Sequence, residues 1–225
     1  MKRIIPIIVI VLNSTMTKAQ TWSAAGSGMN QPVLSLSVYN SQLYAGGWFT
    51  TAGGSPASKI AKWNGTSWSA IGTGMDLGFV GALTVFNGQL YAGGNFSTAG
   101  GLLTGGIART NGISWDSLNP NVVDAWVYSS GVYNGELYVG GGIFCFCSNQ
   151  HIAKWNGAAW TIFGAWSTDD DVYAMAVYNG ELYTGGFFTM SGPLATNYIS
   201  RWNGTSWNNV GTGMDGPIKI GRAHV

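Results

Sequence analysis

The sequence predicts an all-β chain of four tandem units, each a four-stranded antiparallel sheet. Three observations carry this. A Leu-Tyr-x-Gly-Gly element recurs at Leu43–Gly47, Leu90–Gly94, Leu137–Gly141 and Leu182–Gly186, with its tyrosines 47, 47 and 45 residues apart. Trp22, Trp68, Trp115, Trp160 and Trp207 keep the same beat, with gaps of 46, 47, 45 and 47. Only 8% of residues are charged while 35 are glycine, and no segment shows a capped helical period. Two markers in phase exclude low complexity as their source.

Each strand of a unit has its own signal. In the first unit, Val33 to Tyr39 is strand a, in which Leu34 and Leu36 alternate with Ser35 and Ser37 as pleating requires. Asn40-Ser41 turns the chain, and the later copies use Asn87-Gly88, Asn134-Gly135 and Asn179-Gly180. Asn-Gly tolerates positive φ at both central positions, which suits a two-residue hairpin. Strand b runs from Gln42 to the glycine pair. A loop follows over Thr50 to Ser58, then strand c over Lys59 to Trp63. A further Asn64-Gly65 turn leads to strand d around Trp68. Asn64-Gly65-Thr66 and Asn203-Gly204-Thr205 match the N-glycosylation pattern but read as turns.

One such sheet cannot cover both its faces, whereas radial packing of successive sheets can. The predicted fold is therefore a β-propeller of four-stranded antiparallel blades, four repeats being visible in an incomplete ring over 20–218. Glycine pairs would let backbones approach, and Trp and Tyr would fill the space between blades. Trp22-Ser23-Ala24 reads as an orphan strand d. Pro217-Ile218 falls in phase with Pro32-Val33, because Val33, Val80, Val127, Val172 and Ile218 are 47, 47, 45 and 46 apart. The expectation is a fragment of at least five blades.

Both ends are excluded from fold reasoning. Lys2 and Arg3 precede the apolar stretch Ile4 to Leu12, and Thr17-Lys18-Ala19 ends in a small residue. Residues 1–19 read as a signal peptide, cut after Ala19. Residues 219–225 read as a sequencing-adapter scar. Ile220 to Val225 is what ATC GGA AGA GCA CAC GTC encodes, and Lys219 satisfies the AG that precedes that string. Within 20–218, five basic residues face nine acidic ones, a net charge of −4. A charge-poor, mildly acidic chain is a poor partner for nucleic acid and is not expected to insert in a membrane after signal cleavage.

The a–b hairpin ending in Gly-Gly, the strand-c aromatics Trp63, Trp155 and Trp202, and the strand-d Trp together resemble the kelch repeat over residues 21–218. The spacing Trp63-Asn64-Gly65-Thr66-Ser67-Trp68 is tighter than that pattern, and Thr110 stands where the second repeat should carry Trp. Units such as Tyr-Asn-Gly-x-Leu-Tyr-x-Gly-Gly and Ile-Ala-Lys-Trp-Asn-Gly also resemble secreted repeat proteins of Bacteroidetes-type bacteria. That resemblance implies a C-terminal sorting domain for type IX secretion, missing here, and a secreted or cell-surface protein exported through the periplasm.

Candidate functional residues lie in the loops. Asn30, Asp76, Asp124, Asp169 and Asp215 each enter a strand a, and are expected to cap turns with their own backbone. Asp169, Asp170 and Asp171 together offer three carboxylates that could help hold Ca²⁺, though without a known calcium-loop spacing; no cofactor is assigned. Lys62, Arg109, Lys154 and Arg201 recur before the strand-c aromatic and are expected to lie along Trp faces. Cys145, Cys147 and His151 make C-x-C-x3-H, read as a local disulfide between the cysteines or a pair of thiols rather than a metal site, since a fourth ligand is lacking. Trp48, Phe49, Phe187 and Phe188 open the b–c loops. Trp48, Phe187 and Phe188 are candidates for stacking on a ligand, with packing between sheets as the alternative.

The predicted function is a non-enzymatic binding or adhesion module for an extracellular protein or glycan, using the variable b–c loop face. One alternative is a propeller-family enzyme, glycan-active or oxidase, whose site lies in missing blades. Residues 20–218 hold one histidine, too few for copper-oxidase ligation, and no Ser-x-Asp-x-Gly-x-Thr-Trp box. The other alternative is a structural spacer of a large surface protein.

Overall fold

A computed structural model describes residues 23–118, 124–145, 148–163 and 167–219. The first unit holds six strands: β1 (Val33–Tyr39), β2 (Gln42–Gly47), β3 (Thr51–Ala52), β4 (Ser55–Pro56), β5 (Ile60–Trp63) and β6 (Trp68–Ala70). β1-β2-β5-β6 form an antiparallel sheet in the predicted order a-b-c-d. The second unit repeats this with β7 (Phe79–Phe86), β8 (Gln89–Asn95), β9 (Thr98–Ala99), β10 (Leu102–Leu103), β11 (Ile107–Thr110) and β12 (Trp115–Ser117). The third has β13 (Asp124–Tyr133), β14 (Glu136–Cys145), β15 (Ser148–Trp155) and β16 (Trp160–Ile162). The fourth has β17 (Val172–Tyr178), β18 (Glu181–Gly186), β19 (Met190–Ser191), β20 (Leu194–Ala195), β21 (Ile199–Trp202) and β22 (Trp207–Asn209). The chain is all-β among the described residues, with four four-stranded antiparallel sheets, none closed on itself. It contains no helix long and apolar enough to cross a membrane there.

The a–b turns behave as the sequence predicts. Asn40 and Ser41 have φ of 47° and 59°, and Asn87 and Gly88 have 46° and 72°. Positive φ at both centres twists the hairpin in the hand of its strands. The c–d turns work differently. There Asn64 Oδ1 accepts from the amides of Thr66 (2.9 Å) and Ser67 (2.8 Å), and Asn203 does the same with Thr205 and Ser206. Both glycosylation-pattern asparagines are thus turn formers.

The two glycines of each pair have separate tasks. A Cβ on Gly46 would stand 2.5 Å from Val80 Cγ1, one on Gly140 2.8 Å from Val172 Cγ1, and one on Gly185 2.8 Å from Ile218 Cδ1; Gly93 meets Val127 in the same way. The first glycine is therefore the seat for the strand-a valine or isoleucine of the next unit. A Cβ on the second glycine, Gly47, Gly94, Gly141 or Gly186, would run into the strand-a backbone of its own sheet. At that level each strand a carries a register shift, between Val33/Ser35, Val80/Ala82, Val127/Ser129 and Val172/Ala174.

Three of the four core clusters lie between sheets, and the fourth, around Phe49, lies within the first unit. Tyr39, Tyr44 and Ile60 of the first sheet share a cluster with Val80, Leu83 and Trp115 of the second, and equivalent clusters join sheets two to three and three to four. Successive sheets meet through their first strands, β1 on β7, β7 on β13 and β13 on β17. Polar ties reinforce the seams. Trp115 Nε1 donates to the Ile71 carbonyl (3.1 Å), and Lys62 Nζ donates to the Gly112 carbonyl (3.0 Å).

Three expectations are corrected here. The loop expected over Thr50 to Ser58 contains the small β3–β4 ladder, made tight by Gly53 and Gly54 at φ 60° and 82°. In the third unit the connection from Gly141 to Ile152 is instead part of the long β14–β15 hairpin. The head groups of the repeated cations are held by polar partners, Lys62 by the Gly112 carbonyl and the other three by carboxylates. Arg109 pairs with Asp116 (2.6 Å), Lys154 with Glu136 (2.7 Å) and Arg201 with Glu181 (2.6 Å), because acidic neighbours stand across the strands. Asn30, Asp76 and Asp169 reach beyond their own turns. Their Oδ1 atoms accept from amide pairs of the b–c loop, Thr50/Thr51, Ser97/Thr98 and Thr189/Met190, at 2.7–3.0 Å. In the third unit Asp124 instead opens β13 opposite Phe144. Asp215 is exposed. Of the orphan strand, Trp22 lies outside the described residues, while Ser23 and Ala24 are in no strand.

Candidate functional site: an aromatic ladder at the strand-a bulges

A β-bulge re-aims one side chain out of the alternation. The residues inside the four register shifts are Leu34, Gly81, Tyr128 and Tyr173, and all four line one cavity of about 160 Å³. Trp48 and Phe187, which leave the glycine pairs of sheets one and four, close its sides, and Phe79 fills the space that Gly81 leaves. A Cβ on Gly81 would sit 2.9 Å from both the Phe79 ring and the Val127 carbonyl, so the ring position depends on that glycine.

The rings form a continuous ladder across four sheets. Centroid separations are 4.8 Å for Trp48–Phe79, 5.7 Å for Phe79–Tyr128, 4.4 Å for Tyr128–Tyr173 and 5.3 Å for Tyr173–Phe187. The two central pairs are stacked, with interplanar angles of 11° and 18°. Phe79 is buried, Trp48, Tyr128 and Tyr173 are half-buried, and Phe187 is 36% exposed. Burial first, and then the neighbouring Asp171 carboxylate, pushes the Tyr173 hydroxyl above its ordinary range, so it remains a neutral donor at physiological pH. Lys219, from the segment excluded above, places Nζ 5.2 Å from the Phe187 ring centre.

Beside the ladder stands a polar group. Tyr173 donates toward Asp171 Oδ2 (3.4 Å), and His151 Nδ1 lies 3.1 Å from Asp171 Oδ1 and 3.2 Å from the Gly141 carbonyl. Two oxygen acceptors around Nδ1 put the proton on that nitrogen. Asp170 is exposed, and its Oδ1 accepts from the Asp171 amide (2.7 Å).

The predicted residues separate accordingly. Trp48 and Phe187 belong to the ladder. Phe188 is fully buried in the core between sheets three and four, as Phe49 is in the first unit, so neither is available to a ligand. The three aspartates divide among three tasks: Asp169 holds the b–c loop, Asp170 faces solvent and Asp171 meets His151. The Cys145–Cys147 pairing lies outside the described residues. Phe79, Tyr128 and Tyr173 were not singled out from sequence. The available signal was the second residue of each strand a, where aromatic Tyr appears in the third and fourth units only. Compared with known protein families and with curated proteins, the chain matches none.

Proposed function

We propose that this chain is part of an exported, kelch-like β-propeller, serving as a non-enzymatic binding module for an extracellular glycan or protein. Radial packing is supported by the first-strand contacts between successive sheets and by the valine-on-glycine seats that repeat at every seam. The binding reading rests on one observation, the ladder of Trp48, Phe79, Tyr128, Tyr173 and Phe187 in an open cavity. Aromatic faces stack on the apolar faces of sugar rings, and the Tyr hydroxyls and Asp171 supply polar partners at the same edge. The cavity is smaller than the ~300–1,000 Å³ of drug-sized sites, which suits one ring of a longer ligand. The ladder lies at the b–c loop end of the sheets, since Trp48 and Phe187 begin those loops.

A calorimetric titration with a panel of neutral oligosaccharides tests this. Wild type binds at least one of them, and Tyr128→Ala and Trp48→Ala each weaken that binding about tenfold while the protein stays folded. Binding that is unchanged in both variants would place the ligand elsewhere and remove the ladder from the account.

A further inference from the structure

We propose that His151, Asp170 and Asp171 form a binding site for a first-row divalent cation of the zinc or manganese kind. Their ligand atoms all lie within 4.8 Å of one another. His151 Nδ1 and Asp171 Oδ1 are 3.1 Å apart, and the Gly141 carbonyl is 3.2 Å from Nδ1. Ligands bonded at about 2.0–2.2 Å to one cation stand about 3 Å from each other, so this spacing is that of neighbouring ligands. Asp170 Oδ1 is engaged by the Asp171 amide, which leaves Oδ2 to complete a set of one nitrogen and three oxygens. A buried imidazole beside two carboxylates selects zinc or manganese over calcium, which takes oxygen alone.

The repeat supplies a second argument. The position of Asp171, directly before the strand-a valine, is Pro32, Phe79 and Trp126 in the other units. The position of His151, directly before the strand-c isoleucine, is Lys59, Gly106 and Tyr198. Residues needed by the sheet recur in every unit, and these two do not. Both positions vary freely among the units, and a His faces an Asp at one of the described seams only. Access is open, because the Asp171 side chain is 21% exposed and Asp170 faces solvent. On binding, the His151–Asp171 hydrogen bond is replaced by one bond from each residue to the cation.

Isothermal titration of the chelator-stripped full chain with zinc, manganese and calcium chlorides tests the site without any glycan, so its outcome is separate from the ladder's. The expected result is one equivalent of zinc, then manganese more weakly, and calcium least. Asp170→Asn and Asp171→Asn each lower zinc affinity at least about tenfold. Cys145→Ser with Cys147→Ser leaves it unchanged. Asp170 is exposed, so Asp170→Asn decides the matter if the Asp171 variant fails to fold by near-ultraviolet circular dichroism. Absence of zinc binding by the folded wild type overturns the proposal. So does binding that survives Asp170→Asn, or that disappears with the cysteines.

Discussion

Asp76 shows how one side chain is tuned by its place in the repeat. Its carboxylate is partly desolvated, which raises its pKa. The amides of Thr98, Leu77 and Ser97 outweigh that, and the net pKa lies below the ordinary carboxylate value. A folded pKa below the unfolded one means that the unfolded state binds more protons as the pH falls. The stability Asp76 contributes is thus complete above the unfolded value of about 3.9 and is lost as pH falls through the lower folded value. Asn30 performs the same task in the first unit with an amide. Asp76→Asn should therefore keep the loop cap and flatten the acid limb of stability below about pH 4, as read by urea denaturation against pH. Asp76→Ala should cost about 1–2 kcal/mol at neutral pH, since two loop amides lose their acceptor. That these residues enter each strand a is visible in the sequence. Their distant partners are not, because those amides lie 20 to 22 residues downstream and local turn chemistry points to nearer ones.

At the scale of the element, the strand-a bulge links fold to site. Its cause is the second glycine of the pair, whose missing Cβ lets the strand-a backbone come close. In the first unit the strands were readable to within a residue, since Val33–Tyr39 and Gln42–Gly47 follow from alternation and the Asn turn, whereas the third unit's strands run several residues further. The bulges were not, because one extra residue in a strand leaves the period-2 pattern nearly intact. The ladder escaped notice for the same reason, since Tyr128 and Tyr173 look like ordinary alternating strand residues. Gly81→Ala tests the coupling. Its Cβ meets the Val127 carbonyl, which cannot move without the next sheet, and the Phe79 ring must shift. A loss of roughly 1–3 kcal/mol in stability is expected from overpacking, together with weakened ligand binding, measured by urea melts and calorimetry. A variant with full stability and full binding would uncouple bulge from ladder.

For the whole molecule, the two end faces differ from the seams. Val80, Val127 and Val172 are wholly buried by the preceding sheet, whereas Val33 is 39% exposed, and Leu36 is exposed where Leu83 is buried. On the fourth sheet Tyr178 is 63% exposed, where Tyr39, Phe86 and Tyr133 are buried by the following sheet. Each end thus presents half of a seam, and burying one such valine is worth roughly 1.5–3 kcal/mol. The chain in isolation is expected to associate head to tail with rising concentration, and Val33→Lys with Leu36→Lys to suppress this, as followed by sedimentation velocity. A monomer at all concentrations would contradict it. The repeat made this legible in advance, because phase alone aligns Val33 with Val80. The site at the third seam was less so. His151 and Asp171 are 20 residues apart on different strands, and the sequence grouped His151 with its nearer cysteines instead.

The packing of successive sheets depends most on the seat that each strand-b glycine offers to the next unit's strand-a valine or isoleucine. A double-mutant cycle on Gly93→Ala and Val127→Ala measures that contact directly by urea denaturation. An added methyl at Gly93 runs into the Val127 side chain, and truncating Val127 removes the nearest of the clashing atoms. The expected result is that each single variant is destabilised by about 1–3 kcal/mol while the double variant loses less than their sum, with a coupling of about 1 kcal/mol or more. Losses that simply add would mean that the two residues do not meet, and the radial packing of successive sheets would have to be abandoned.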